Sequence, residues 1–268
     1  MRIVRYEGRD GAAQYAAIQE DGSHLRIVGE MLGDYYLTNE IVEVKKLLPP
    51  ILPAAILCIG LNYRRHAEET NAKVPEYPIV FMKSPNALLA PDAPIQIPTV
   101  LPSDKVDYEA ELTVIIGKTC KNVRREDALD VVFGYTCGND VSARDWQMER
   151  GGSQWSRAKS FDTFCPLGPC IVTKEDIPDP NALWIKTTVD GEVLQDWNTR
   201  DMIFDVPALI EFLSGSTTLL AGTVILTGTP QGVGMGRKPP RYLQDGSTVT
   251  VEIENIGRLT NRVTREVV

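Results

Sequence analysis

The sequence predicts an α+β fold dominated by β-structure. Three observations carry that expectation: short apolar runs of strand length recur along the chain, turn signals separate several of them, and helical patterns are few with no regular β-α-β alternation. In chain order, Met1-Arg2-Ile3-Val4-Arg5-Tyr6 alternates like a strand, and Asp21-Gly22 between runs 14–19 and 24–28 marks a hairpin. The break Leu47-Leu48-Pro49-Pro50 divides a small β-rich unit, residues 1–50, from residues 51–268. Beyond it, runs 55–59, 79–82, 112–116, 170–173, 184–189, 224–227 and 249–253 read as strands, with hairpin turns at Asp190-Gly191 and around Asn255-Ile256-Gly257. Helices are expected over 62–70, 126–132 and 207–213, the last with Asp205 near its start as a capping residue.

Composition excludes several functions. The chain has 268 residues, 43% of them hydrophobic and 24% charged, the proportions of a soluble globular protein with room for a substantial core. A formal net charge of -8 argues against a nucleic-acid partner, which would require a concentrated excess of Lys and Arg. Only two histidines occur, His24 and His66, so a His-rich zinc site is excluded. The cysteines, at 58, 120, 137, 165 and 170, are odd in number and form no C-x-x-C pair, which points to buried reduced thiols and a reducing compartment. The N-terminus lacks the apolar core of a signal peptide, and the longest apolar stretch, 51–61, is too short to span a bilayer and contains Pro53. A cytoplasmic protein that does not enter a membrane is the expectation.

The most informative segment is Val106-Asp107-Tyr108-Glu109-Ala110-Glu111-Leu112-Thr113-Val114-Ile115-Ile116. Alternate side chains of a strand share a face, so Glu109 and Glu111 point the same way. Glu-x-Glu ordinarily marks a solvent-facing strand, but this run continues apolar on both faces, as a buried strand does. Two like charges entering a buried strand need a counter-charge, and a divalent cation with oxygen ligands supplies it: Mg²⁺, with Mn²⁺ or Ca²⁺ as alternatives. Asp140 or Asp145, after the apolar run 131–137, is the candidate third carboxylate, although either residue alone would also suit a turn or a helix cap. Arg144, Gln147, Arg157 and Lys159 lie close to Asp140 in sequence, and an anionic substrate beside the metal would explain that density. His66 has Glu69 at i+3 on the same helical face, a pair able to activate water or move a proton. The glycine-rich turn 226–236 fails the G-x-G-x-x-G spacing because Arg237 takes the last glycine's place. Its amides and the Thr229 hydroxyl can contact a substrate oxygen, or simply make a tight turn.

Over about residues 55–268 the chain resembles the fumarylacetoacetate hydrolase family. The matching blocks are Gly60-Leu61-Asn62-Tyr63 with His66, Asp107-Tyr108-Glu109-Ala110-Glu111-Leu112, 139–145, 159–169 and 226–234. The resemblance implies a distorted β-sandwich or β-roll core, usually dimeric, behind a short variable N-terminal segment. It also implies Glu109, Glu111 and Asp140 as ligands of Mg²⁺ or Mn²⁺, and Lys159 as the lysine that contacts substrate or enolate. Arg144, Gln147, Thr229 and Tyr63 would be substrate-binding residues, and His66 with Glu69 the water-activating dyad on a lid segment. The branch most similar is that of the domain-containing protein 2, associated with oxaloacetate keto–enol tautomerisation. Other branches hydrolyse acylpyruvates or fumarylpyruvate, decarboxylate oxaloacetate, or isomerise hydroxymuconate-type dienedioates. A catalytically weak metal-binding protein is the reading from another class. The Lys159-Ser160 pair departs from the Lys-Thr or Lys-Gly of many members but leaves the lysine intact.

Overall fold

The computed structural model describes residues 1–152 and 154–268. Its main element is an eleven-stranded mixed sheet. Ten of the strands run side by side in the order Tyr35–Ile41, His24–Gly29, Ala13–Ile18, Arg2–Glu7, Cys165–Thr173, Val132–Asn139, Ala110–Ile116, Val224–Leu226, Ile56–Gly60 and Ile79–Lys83. A five-stranded sheet, with Thr248–Ile253 at its centre, packs against it. A two-stranded ladder joins Val106–Asp107 to Ser142–Ala143. This is the β-dominated α+β architecture expected from the run lengths.

Ala110–Ile116 is the spine, and its sequence dictates its position. All seven residues are buried, as apolar alternation on both faces requires. Leu112, Val114 and Ile116 face one core with Val251, Ile253 and helix residues Leu209 and Ile210, while Ile115 faces a second core with Val224 and Ile171. Truncating one such side chain, as in Leu112→Ala, should cost about 2–5 kcal/mol. On one side the spine pairs antiparallel with Val132–Asn139, with Ala110 opposite Asn139 and Glu111 opposite Gly138. On the other side it pairs with Val224–Leu226. That register matters below, because it sets Asp140 beside the two glutamates.

The hairpins at Asp21-Gly22, Asp190-Gly191 and Asn255-Ile256-Gly257 form where expected. Helix Val206–Ser214 is capped by Asp205, whose carboxylate accepts the Ala208 amide at 3.0 Å, with Pro207 in the first turn. Two expectations are corrected in detail. Residues 126–132 form a 3₁₀ turn, Arg125–Val131, and the strand read as 170–173 begins at Cys165. Pro166, Gly168 and Pro169 hid that strand's first half, since proline cannot donate to a ladder. The π-helical turn Trp146–Arg150 and the helix Trp155–Lys159 left no periodic signal, being five residues each. Residues 1–50 extend the main sheet, with Arg2 opposite Val172 and Ile3 opposite Ile171.

Among the described residues no helix is long and apolar enough to cross a membrane. All five cysteines are unpaired, four of them buried and Cys120 partly exposed. Burial pushes the Cys165 thiol up to about 12, and it raises Cys58, Cys137 and Cys170 as well. Timed alkylation of the native protein, followed by mass spectrometry, should therefore label Cys120 first and the other four only after denaturation.

Candidate active site

Strand geometry assembles the three carboxylates. Glu109 and Glu111 lie two residues apart entering the spine strand, and Asp140 follows directly on its partner strand. Two backbone-level contacts lock the register: the Glu109 amide donates to Asn139 Oδ1 at 3.0 Å, and the Asp140 amide donates to the Glu109 carbonyl at 2.9 Å. One oxygen from each of Glu109, Glu111 and Asp140 lies within 4.8 Å of the other two, and all three residues are buried.

Their charges are balanced by a buried basic set. Lys159 Nζ donates to Glu109 Oε2 and Asp140 Oδ2, both at 2.7 Å. Arg144 Nη2 lies 2.7 Å from Glu109 Oε1, and its Nε donates to Asp107 Oδ2 at 2.9 Å. Lys83, which closes the apolar run 79–82, sits 2.5 Å from Asp140 Oδ1 while donating to the carbonyls of Val141 and Lys159. Burial works against the Lys159 ammonium, but Asp140 and Glu109 outweigh it and hold the amine well above its ordinary range. Likewise burial alone would raise Glu109, yet Lys159 and Arg144 hold its carboxyl well below the usual range.

Glu111 is the exception. It receives the Gly228 amide at 2.7 Å but, among the described residues, pairs with no cation. Burial, reinforced by the Asp140 and Glu109 charges, pushes its carboxyl well above the usual range. Asp140 Oδ1 also has no aligned hydrogen-bond donor, despite its ion pair with Lys83. Four carboxylates, counting Asp107, thus share three cations, and the carboxyl left without one, Glu111, belongs to the all-oxygen triad. The residues fit a hard divalent cation such as Mg²⁺, Mn²⁺ or Ca²⁺.

The remaining candidates surround a cavity of about 240 Å³, whose wall includes Glu109, Glu111, Arg144, Gln147 and Lys159, with His66 and Thr229. Gln147 Oε1 accepts from Arg144 Nη1 at 2.9 Å, which leaves its NH₂ as the donor toward the cavity. His66 and Glu69 are paired at 3.2 Å through Nδ1, so Nε2 is the free imidazole nitrogen. The glycine-rich turn holds these pieces together. Gly228 (φ 97°) and Gly232 (φ 96°) adopt left-handed conformations that favour glycine, and their amides bind Glu111 and Glu69 respectively. The Gly234 and Met235 amides bind Asp107 in turn. Thr229 Oγ1 accepts from Gln195 Nε2 at 2.8 Å, leaving its hydroxyl hydrogen to donate.

Glu69 and Asp140 stand behind this wall, each held to a residue on it. Tyr63, the N-cap residue of helix Arg64–Glu69, is wholly buried among core residues rather than on the cavity wall, within reach of the Glu111 charge, and its hydroxyl has no hydrogen-bond partner among the described residues. Sequence reasoning missed Lys83, Asp107 and Gln195. The first two carried a signal, since a lysine ends an apolar strand run and an aspartate heads the Glu-x-Glu block, but Gln195 carried none. A larger cleft of about 330 Å³, lined by Gln96, Phe161 and Glu266 among others, takes Arg157, whose guanidinium lies 4.0 Å from the centre of the Phe161 ring, but none of the other predicted site residues.

Residues 55–264 match the model of the fumarylacetoacetate (FAA) hydrolase C-terminal family. The chain belongs to the fumarylacetoacetate hydrolase family. It is 50% identical over 218 residues to a Xenopus laevis protein named oxaloacetate tautomerase fahd2, mitochondrial, covering 81% of this chain and 68% of the relative. A human relative, oxaloacetate tautomerase FAHD2A, mitochondrial, is 47% identical over 221 residues, or 82% of this chain and 70% of that one. Among solved structures, a 5-carboxymethyl-2-hydroxymuconate delta-isomerase from Mycobacterium smegmatis superposes with a TM-score of 0.87 at 40% identity, covering 99% of this chain and 100% of the other. Fumarylacetoacetate hydrolase from Exiguobacterium antarcticum gives 0.86 at 37%, with the same coverage. The chain is an enzyme of this family, with the family's β-dominated fold.

The charge balance makes a prediction for the metal-free protein. Lys159→Met removes the ammonium that two buried carboxylates share, leaving each with a single basic partner, and should cost about 3–5 kcal/mol. Glu111→Gln removes the one carboxylate without a cation and should leave stability unchanged or raise it. Urea unfolding in the presence of a chelator measures both.

Proposed function

We propose that this enzyme, with Mg²⁺ bound at Glu109, Glu111 and Asp140, moves protons on small 2-oxo dicarboxylic acids, with oxaloacetate keto–enol tautomerisation as its reaction. The observation that supports the reading is that Arg144 and Gln147, hydrogen-bonded to each other, line the same small cavity as the Lys159 ammonium and His66, which is paired to Glu69 behind the wall. At about 240 Å³, the cavity is smaller than the roughly 300–1,000 Å³ of drug-sized pockets and suits a small acid. The names of the relatives, oxaloacetate tautomerase at about half identity, support the same substrate.

A bound divalent cation would supply Lewis-acid stabilisation of the enolate oxygen. The chain's own residues do the rest. Arg144 and Gln147 hold a carboxylate and fix the substrate's orientation. Glu69 fixes the His66 tautomer, so that the free nitrogen accepts a proton from the carbon next to the keto group. The C–H electron pair becomes the new C=C bond while the carbonyl π pair moves onto oxygen, and the imidazolium gives its proton to that oxygen; ketonisation runs the same steps in reverse. Lys159, held protonated by its two carboxylates, stabilises the developing oxyanion, and Thr229 can donate to the same substrate face.

A second reading has one observation in its favour: the same His66–Glu69 pair could position water for C–C hydrolysis of an acylpyruvate, with oxaloacetate decarboxylation as a third exit from the enolate. The reading includes a homodimer and a reducing compartment. Cytoplasm fits the reduced thiols, as does the mitochondrial location in the relatives' names.

Two rates decide the matter: decay of enol oxaloacetate followed by its ultraviolet absorbance, and release of pyruvate. Mg²⁺-dependent enol decay without pyruvate release is the expected result, and no acceleration on oxaloacetate, acetylpyruvate or a hydroxymuconate analogue would refute the proposal. Arg144→Lys loses the bidentate fork and should lower kcat/KM by about 10²-fold or more. His66→Ala should slow the tautomerase but abolish a hydrolase.

A further inference from the structure

The cavity has two poles, and the function above uses only the charged one. The other is apolar, formed by Ile59, Leu61, Phe81, Met148 and Trp155. Trp155 opens the short helix Trp155–Lys159 and Lys159 closes it, so the indole and the site's ammonium lie at i and i+4, one turn apart on a single face. The Phe81 ring joins them. It meets Trp155 edge-on at 5.7 Å between centroids, and the Lys159 ammonium lies 5.0 Å from its centre.

The indole is also fixed from behind. It packs so closely on Gly60 that a methyl group added there would come within 2.2 Å of the ring. Gly60 ends the strand Ile56–Gly60, beside the spine's partner Val224–Leu226, so the seat is rigid backbone. A ring trapped between a strand and a second aromatic side chain cannot retreat when a ligand presses on it.

We infer that Trp155, backed by Gly60 and Phe81, is the specificity-determining wall that limits how long a tail a 2-oxo acid can carry beyond its keto carbon. The inference rests on the 2-oxo acid reading of the charged pole and adds to it what the apolar pole selects. Small dicarboxylates fit short of the wall, while acids with a bulky tail meet the indole.

Oxamate and N-phenyloxamate are suitable probes, because they share the carboxylate–carbonyl head and differ only in the tail. Calorimetric titration of the Mg²⁺-loaded protein should show oxamate binding at least tenfold tighter than N-phenyloxamate. In Trp155→Ala that preference should fall at least tenfold, with oxamate affinity within a few-fold of wild type. Gly60→Ala, which pushes the indole off its seat toward the cavity, should sharpen the preference and gives a second test should the first variant fold poorly. An unchanged preference in a folded variant overturns the wall while leaving the oxamate-binding head intact. No binding of either probe to the wild type overturns the 2-oxo acid reading and the wall together.

Discussion

One ammonium group holds the site together. Lys159 lies between Glu109 and Asp140, which come from adjacent strands and would otherwise repel each other in a buried environment. Each carboxylate has a further basic partner, Arg144 for Glu109 and Lys83 for Asp140. Burying charges this densely is costly unless every charge is paired, and here the pairing stops one short, at Glu111. The structure therefore favours one more positive charge beside Glu111, on the cavity wall.

The network also couples chemistry to fold. Arg144 orients Gln147 and grips Asp107, and Asp107 in turn holds the glycine-rich turn through the Gly234 and Met235 amides. The same turn holds Glu111 through Gly228 and Glu69 through Gly232. Arg144, Glu111 and the His66–Glu69 pair thus share one backbone support, which holds them in fixed positions on or just behind the cavity wall. Under the proposed function, a protein of net charge -8 would accept an anion because Arg144, Lys159 and a bound divalent ion would invert its local field.

Much of the site is legible in the sequence, for identifiable reasons. Alternation puts Glu109 and Glu111 on one face, and the apolar run after them announces a buried strand, so an uncompensated pair of charges follows from the residue order alone. The i,i+3 spacing of His66 and Glu69 likewise survives as a direct contact. What stays hidden depends on distant contacts. Lys83 and Asp140 are 57 positions apart and meet only because the strand Ile79–Lys83 ends over the site, and Gln195 reaches Thr229 from the other sheet. Membership of Tyr63 in a matching block says nothing about which way its ring turns, and the ring is buried among core residues. The Trp155–Lys159 helix is too short for periodicity to reveal, yet it carries both the Lys159 ammonium and the indole that line the cavity.

The central claim is that the buried carboxylates are one positive charge short of balance and that a divalent cation makes up the deficit. Calorimetric titration of the metal-free protein with Mg²⁺, with and without oxalate, tests it most directly. The account predicts one ion per chain, bound more tightly when oxalate is present, with binding lost in Asp140→Asn. Heat-silent titrations in both conditions would contradict it, showing that Lys159, Lys83 and Arg144 already satisfy the site without a metal.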